Sequence, residues 1–206
     1  MSLSLSTRTY TVIRSKEDNS SISLTLAAPI IHAENLYLQT WGSSFVLANL
    51  LHKLEDQLPF TKPRTKTEDD PENTSTITID VLELGAGTGL VGLSAASILR
   101  SSLGRNGAVV LTDLPTIVPS LVDNIKLNEE LVGGGTVLCG SLDWNTPNQL
   151  VLFTRTGDGE DGNSLTTLTP ENKALLIVAA DTMYTEDHPR LLSRTIFTWC
   201  VLDIYP

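Results

Sequence analysis

The sequence contains only two cysteines, Cys139 and Cys200, among 206 residues. Two cysteines are too few for a disulfide framework, and they lack the paired spacing of zinc ligands. We therefore interpret each as a small buried side chain in a reducing compartment, and we expect no metal. The N-terminus, MSLSLSTRTYTVIRSK, has no continuous apolar run of the kind that a secretory signal requires.

Basic residues and long apolar runs are also scarce. The chain has 14 lysines and arginines against 24 acidic residues, which gives a net charge of -10. The basic residues form no cluster that would neutralise phosphates, so we do not expect nucleic acid as a partner. No segment reaches the roughly 20 apolar residues of a membrane span, so we expect no membrane either. The acidity favours a basic protein or a small molecule, although solubility alone would also explain it.

The N-terminal part predicts a hairpin and then a helix. Residues 8–14 and 21–27 alternate between apolar and polar side chains, and the polar SKEDNS between them is typical of a turn. The apolar residues after position 41 recur at helical spacing, with Ser43 or Ser44 as the candidate N-cap. Residues 61–76 are polar and contain prolines, which predicts a flexible insert.

From residue 77 onward the pattern alternates between strand and helix. Such alternation predicts an α/β fold with a parallel sheet, in which ligands bind at the carboxyl ends of the strands. The length suits one domain, with residues 1–35 as an N-terminal extension and 36–206 as the core. A polar, glycine-rich stretch at 154–172 predicts a second flexible insert. The predicted strands are 77–84, 108–114, 136–144 and 174–181, and the predicted helices are 90–103, 116–132 and 188–202.

The stretch VLELGAGTGLVGLSAA at 81–96 predicts a strand, a glycine-rich turn and a helix. A phosphate-binding P-loop is excluded because Leu90, rather than a lysine, follows Gly89. The dinucleotide fingerprint is excluded because its sixth position is again Leu90. The remaining pattern, Glu83-x-Gly85-x-Gly87-x-Gly89, would let the backbone approach a nucleoside without a pyrophosphate; a turn made only for packing is the alternative.

Polar side chains end the next two predicted strands. Asp113 lies 26 residues after Gly87, where a carboxylate can accept hydrogen bonds from both ribose hydroxyls. Its alternative role is to cap the helix behind Pro115. Asp143 and Trp144 end the third strand, where an acid can bind an adenine amino group and an indole can cover the pocket. Trp144 as a plain core residue is the alternative.

Four motifs in this order, ELGAGTGL, LTDLP, SLDW and AADTMY, resemble those of the seven-β-strand S-adenosylmethionine-dependent methyltransferases. The closest resemblance is to the fungal members of lysine methyltransferase family 16, and it spans roughly residues 36–198. It implies a Rossmann-like sheet, S-adenosyl-L-methionine as the cofactor, and a protein substrate such as a translation factor or another basic protein. It also implies a monomer in the cytoplasm, with the nucleus as a further compartment. The cofactor contacts that we expect are Trp41, Glu83, Gly85, Gly87, Asp113, Asp143 and Trp144.

Within this family, the D-x-x-Y motif of Asp181 and Tyr184 implies the catalytic and lysine-binding residues. Methyl transfer depends largely on alignment, so Asp181 would orient the incoming amine and Tyr184 would offer an aromatic face to its cation. A neighbouring carboxylate raises the pKa of a lysine, so we do not expect Asp181 to act as a strong base. The alternatives are that Asp181 caps the next helix and that Tyr184 packs on the sheet. Met183 is interpreted as a core residue and His188 as a structural one.

The resemblance also predicts that the core is incomplete. A full seven-strand member has the sheet order 3-2-1-4-5-7-6, whereas this sequence supplies strands one to four and one further helix. Strands five to seven are therefore expected to be missing, which would leave strand four as an exposed edge. A shortened gene model is the favoured explanation, and a fragment or a sheet completed by dimerisation are the others.

Three other functions stay open at this stage. The cofactor motifs do not select the acceptor, so methylation of another group is an alternative. A truncated, non-catalytic module that binds cofactor or a partner is a second alternative, and an oxidoreductase is a third.

Overall fold

The computed structural model of the protein describes residues 5–29, 40–57, 79–103, 107–132, 137–155 and 163–201. No helix in this part of the chain has the length and apolar character needed to cross a membrane. The elements in chain order are β1 (Leu5–Ile13), β2 (Ser21–Pro29), α1 (Gly42–Leu50), a 3-10 helix (Leu51–Gln57), β3 (Ile79–Leu84), α2 (Leu90–Leu103), β4 (Val109–Asp113), α3 (Val118–Leu127), α4 (Glu129–Val132), β5 (Val137–Ser141), β6 (Leu150–Arg155), β7 (Asn163–Leu168), β8 (Ala174–Ala179) and α5 (His188–Trp199).

The central sheet has six strands in the order β7-β6-β5-β4-β3-β8. Strands β5, β4, β3 and β8 run parallel to one another, whereas β6 is antiparallel to β5 and β7 is antiparallel to β6. The predicted strands one to four correspond to β3, β4, β5 and β8, so their order is the expected 3-2-1-4. The α/β fold with a parallel-rich sheet is therefore confirmed, and so is the N-terminal hairpin, in which β1 pairs with β2.

The prediction of a flexible insert at 154–172 is wrong for the described residues. Residues 163–168 form β7, which pairs antiparallel with β6 so that Leu150 lies opposite Leu168. Both of these leucines are buried. The glycines and acids of this stretch are typical of loops, but its threonines and leucines favour a strand once a partner is present. The sequence analysis also missed β6, although its sequence LVLFTR has the apolar and β-branched character of a strand. The other predicted insert, 61–76, lies outside the described residues.

In the described residues strand four lies at the edge of the sheet as expected, since β8 is the last strand of the order. Beyond β8, Cys200 makes an isolated parallel bridge to Ala174, and the Val201 amide donates to the Ala174 carbonyl at 3.0 Å. The predicted N-cap is wrong, because α1 already starts at Gly42 and has no side-chain cap. The single-domain organisation stays a prediction, since it includes residues outside the described ranges.

The core lies on both faces of the sheet. Alternation along β4 sends Val109 and Leu111 into a cluster with α2, α3 and the hairpin, whereas Val110 joins a cluster that contains Trp199 of α5. Every residue of β3 is buried, as expected for a central strand covered on both faces. Of the two cysteines, Cys139 is buried as predicted, but Cys200 is only partly buried.

Close packing between α2 and the sheet predicts a sensitive glycine. A Cβ at Gly92 would collide with Cδ2 of Leu111 and would lie 2.6 Å from Oε2 of Glu83. We expect Gly92→Ala to lower the free energy of unfolding by about 1–3 kcal/mol, because the core has to shift to admit the methyl group. Urea titration followed by circular dichroism measures this change.

The matched control is Gly42→Ala in the exposed first turn of α1, where a Cβ meets nothing within 4 Å. This variant should change the free energy of unfolding by less than about 1 kcal/mol. Equal stability of the two variants would contradict the packing described for Gly92.

Candidate active site

The glycine-rich turn after β3 is left-handed at three residues. The φ angles of Gly85, Gly87 and Gly89 are 67°, 56° and 82°, a region in which any other L-residue is disfavoured. The turn is also crowded, since a Cβ on Gly85 would lie 2.8 Å from Cγ2 of Thr182. Conformation and space therefore both require glycine here, and the backbone at this end of the sheet is left open to a ligand.

Asp113, at the end of β4, holds this turn in place. Its Oδ2 accepts a hydrogen bond from the Gly87 amide at 2.8 Å, and its Oδ1 accepts one from the Leu114 amide at 2.7 Å. A carboxylate has about four acceptor positions, so each oxygen keeps one for a ligand. Burial raises the pKa of Asp113, although both amide hydrogen bonds lower it. Asp113 does not cap the next helix, since α3 has no side-chain cap.

Glu83 lies beneath the same turn and is buried. Its Oε2 accepts a hydrogen bond from the Gly92 amide at 2.9 Å, which satisfies one of the free N–H groups in the first turn of α2. Burial raises the pKa of Glu83 to about 8; the hydrogen bond to Gly92 opposes this shift and the nearby charge of Asp113 adds to it. Glu83 therefore stabilises the start of α2 and does not line the cavity.

A cavity of about 400 Å³ opens at the carboxyl ends of the parallel strands. Its size lies within the range of about 300–1,000 Å³ that is typical of small-molecule sites. It brings together seven of the nine residues that the sequence singled out, whereas Glu83 and Asp143 are not among its lining residues. The lining comprises Trp41, Ser44, Gly85, Ala86, Gly87, Thr88, Asp113, Leu114, Thr116, Ile117, Trp144, Ala180, Asp181, Thr182, Tyr184 and His188.

The two residues that end the third predicted strand have separate positions. Asp143 is exposed, and its Oδ1 accepts hydrogen bonds from the backbone and side-chain nitrogens of Asn145 at 2.8 Å and 3.0 Å. It thus closes a local turn. Trp144 is half-buried and lines the cavity, so it is not a plain core residue.

The segment after β8 turns sharply at the cavity rim. Asp181 has a φ of 58°, a left-handed conformation that is uncommon for a residue other than glycine and often marks a functional site. Its carboxylate does not cap α5, because that helix begins after Asp187 without a side-chain cap. Tyr184 is 61% exposed and Met183 is 64% exposed. The expectation that Met183 belongs to the core is therefore wrong, and Tyr184 stands at the rim instead of packing on the sheet.

His188 is the functional candidate that the sequence analysis missed. Its Nδ1 accepts a hydrogen bond from the Tyr184 amide at 2.9 Å. Its ring stands edge-on to Trp144 and to Tyr184, with centroids 5.8 Å and 6.0 Å apart. His188 thus joins the two aromatic walls of the cavity. Its position before Pro189 signals only a helix start, so the sequence carries no sign of this contact.

The charges of two carboxylates act on the phenol of Tyr184. Partial burial raises the pKa of its phenol, and the negative charges of Asp181 and Asp113 raise it further. The phenol therefore stays protonated at neutral pH, and the surrounding field attracts a cation.

Comparison with known proteins assigns a family to this arrangement. The model of a family described as lysine methyltransferase matches residues 25–157. Over 179 residues, or 86% of this chain, the sequence is 36% identical to the protein-lysine N-methyltransferase EFM2 of Saccharomyces cerevisiae. Over 131 residues, or 63% of the chain, it is 37% identical to the protein-lysine N-methyltransferase rrg1 of Schizosaccharomyces pombe.

The matches cover part of each relative and part of the candidate site. The aligned part makes up 38% of EFM2 and 35% of rrg1, so the chain spans well under half the length of these relatives. The family match includes β3, β4 and β5 with the glycine turn and Asp113. It ends before Asp181 and Tyr184.

The buried carboxyl of Glu83 predicts a pH-dependent stability. Its pKa rises from an ordinary 4.5 to about 8, so the folded protein holds this proton more tightly than the unfolded chain does. The resulting stabilisation is complete below pH 4.5 and is lost as the pH rises towards about 8. We expect wild-type protein to lose a few kcal/mol of unfolding free energy between about pH 5 and 8 relative to Glu83→Gln.

Urea unfolding at several pH values tests this prediction. The glutamine keeps an oxygen that can accept from Gly92 but cannot ionise. The control is Asp143→Asn, an exposed carboxyl, which should follow the wild-type curve. Parallel curves for wild type and Glu83→Gln would show that Glu83 does not titrate in this range.

Proposed function

This chain belongs to the lysine methyltransferase family, and we propose that it transfers a methyl group from S-adenosylmethionine to a lysine side chain of a protein. The observation that carries the proposal is the cavity at the carboxyl ends of the parallel strands. It unites the glycine turn and Asp113 on one side with Asp181 and Tyr184 on the other. A cofactor site and an acceptor site would therefore share one space.

The lining residues suit this cofactor. The free acceptor positions of Asp113 would take the two ribose hydroxyls, and the open backbone at Gly85 and Gly87 would lie against the nucleoside. Trp41 and Trp144 offer flat apolar surfaces for adenine and for the aliphatic part of the cofactor. When bound, S-adenosylmethionine supplies an electrophilic methyl group on a sulfonium centre.

The acceptor side suits a lysine. Asp181 and Tyr184 are exposed at the cavity rim, where a long side chain from another protein can enter. The carboxylate would hold the ammonium group and the tyrosine face would contact it. Because a carboxylate raises the pKa of a neighbouring lysine, Asp181 would orient the amine while solvent removes its proton.

The charge of the chain supports a basic protein substrate. Two further acids, Glu186 and Asp187, are exposed next to Tyr184, and the net charge is -10. Opposite charges on the two proteins would steer their encounter. A translation factor or another basic protein of the cytoplasm or nucleus fits this chemistry. The enzyme itself is proposed to act as a monomer.

One observation favours a second candidate function. The family match covers the residues on the cofactor side but ends before Asp181. A module that binds the cofactor without transferring a methyl group would need only the matched part. The two candidates differ in whether changes at Asp181 and Tyr184 have a catalytic effect.

Cofactor binding is tested by calorimetric titration with S-adenosylhomocysteine. We expect saturable binding to the 206-residue chain and at least about tenfold weaker binding to Asp113→Ala, which loses the ribose acceptor and the hydrogen bond to Gly87. The control is Asp123→Ala, an exposed carboxylate on α3, which should bind as wild type does. A folded chain that shows no binding would overturn the cofactor assignment.

Catalysis is tested by methyl transfer from labelled S-adenosylmethionine to the proteins of a fungal cell extract, followed by acid hydrolysis. We expect labelled methyl-lysine, and a loss of about 100-fold in rate with Asp181→Ala because the amine is misaligned. Its affinity for S-adenosylhomocysteine should stay within about threefold of wild type, since the change lies on the acceptor side.

Two variants at Tyr184 separate the aromatic face from the hydroxyl. Tyr184→Phe should keep most of the transfer rate, whereas Tyr184→Ala should lose it. Cofactor binding without transfer in the wild-type chain would favour the non-catalytic module. Labelled methyl groups on arginine alone would refute the lysine assignment.

A further inference from the structure

Two buried asparagines, Asn124 on α3 and Asn128 at the C-cap of that helix, hold the N-terminal hairpin. Oδ1 of Asn124 accepts a hydrogen bond from the Ala27 amide at 2.7 Å, and its Nδ2 donates to the Ala27 carbonyl at 3.2 Å. Asn128 repeats this pattern with the amide and carbonyl of Thr25, at 2.9 Å and 2.8 Å. Each asparagine therefore binds one residue of β2 through both of its backbone polar groups.

The two asparagines differ in their remaining donor. Nδ2 of Asn128 donates to the Asn124 carbonyl at 2.7 Å, at the end of α3. Nδ2 of Asn124 instead donates to the Thr88 carbonyl at 3.0 Å, in the glycine-rich turn. Asn124 alone of this pair thus connects the hairpin to the cavity wall.

The Thr88 carbonyl lies just before the start of α2. The first helical hydrogen bond runs from the Leu93 amide to the Gly89 carbonyl at 3.0 Å, so the carbonyl of Thr88 precedes the helical pattern. The Gly92 amide is one of the free N–H groups of the first turn, and it donates to Glu83. The Thr88 carbonyl is buried between two left-handed glycines, and it accepts from the Asn124 amide. A side chain from α3 therefore satisfies this buried backbone oxygen.

The orientation of the Asn124 amide is determined by its neighbours. A flipped amide would set its NH₂ group against the Ala27 N–H and its oxygen against two carbonyls, so the hairpin selects the orientation that points Nδ2 at Thr88. The Thr88 hydroxyl makes a second fixed contact, 2.7 Å from that of Thr40. The turn is thus held by residues distant in the sequence. Thr40 precedes β3, and Asn124 lies 36 residues after Thr88.

We propose that Asn124 is a positioning residue for the cofactor, which fixes the Thr88 carbonyl and with it the wall of the cavity. The hairpin acts as its anchor through Ala27. The identity of the ligand in this inference rests on the proposed function. The positioning of the turn by Asn124 does not depend on that function. Asn128 has the same attachment to β2 without the contact to the turn, so it is an internal control.

The test compares Asn124→Asp with Asn128→Asp. Each aspartate keeps an oxygen that accepts from β2 and loses two donated hydrogen bonds, so the two changes match except at Thr88. We expect the affinity for S-adenosylhomocysteine to fall about tenfold in Asn124→Asp and no more than about twofold in Asn128→Asp. Asn124→Ala and Asn128→Ala form a second pair that introduces no buried charge.

Amide hydrogen exchange without ligand provides the independent readout. Exchange at the Gly87 and Gly89 amides, which donate to Asp113 and to Ala86, should be faster in the Asn124 variants than in the Asn128 variants of similar stability. Equal affinities and equal exchange in the two pairs would overturn the proposal. If wild-type protein bound no cofactor but the exchange differed as expected, the proposed function would fail while the positioning role would hold.

If the Asn124 variants do not fold, hydrogen exchange of the wild-type protein provides the test. Binding of S-adenosylhomocysteine should then slow exchange of the Ala27 amide more than that of the Thr25 amide, because only Ala27 is connected to the turn through Asn124. Equal slowing at both amides would count against the proposal.

Discussion

The left-handed turn after β3 is the constraint on which the rest of the site depends. Gly85, Gly87 and Gly89 all have positive φ, so the turn cannot satisfy its backbone groups in the way that a helix or a strand would. Neighbouring elements supply the missing partners instead. Asp113 accepts from Gly87, Glu83 takes the Gly92 amide beyond the turn, and an amide from α3 reaches the carbonyl between the glycines. A buried polar backbone needs such partners, because leaving one group unpaired costs about 1–3 kcal/mol.

Two of these partners are carboxyl groups in an apolar setting, and burial raises the pKa of both. Glu83 is fully enclosed and serves the start of α2. Asp113 reaches the cavity and keeps acceptor positions there. Because the two carboxyl groups are buried to different extents, these neighbouring acids have different roles. One contributes to folding and responds to pH, whereas the other is available to a ligand.

The two halves of the site differ in their hydrogen bonding and in their exposure. On the proposed cofactor side the glycine turn is hydrogen-bonded to Asp113 and Asn124, and the family match covers it. The proposed acceptor side is an exposed turn at Asp181 and Tyr184, held by the hydrogen bond from the Tyr184 amide to His188. A well-held turn beside an accessible rim agrees with the proposed transfer of a methyl group to a protein.

Local pattern determined much of this protein from the sequence alone. Strand and helix periods predicted the hairpin and the strands β3, β4, β5 and β8, and the glycines with Asp113 predicted the ligand-binding end, because positive φ and buried strands leave local signatures. The order of those strands in the sheet was implied by the family resemblance. Tertiary structure decided what depends on distant partners. The threonine-rich residues 163–168 became a strand because β6 pairs with them, and Asn124 became a link to Ala27, 97 residues away. No local pattern specifies which side chain meets which backbone group, so such contacts appear only once the chain has folded.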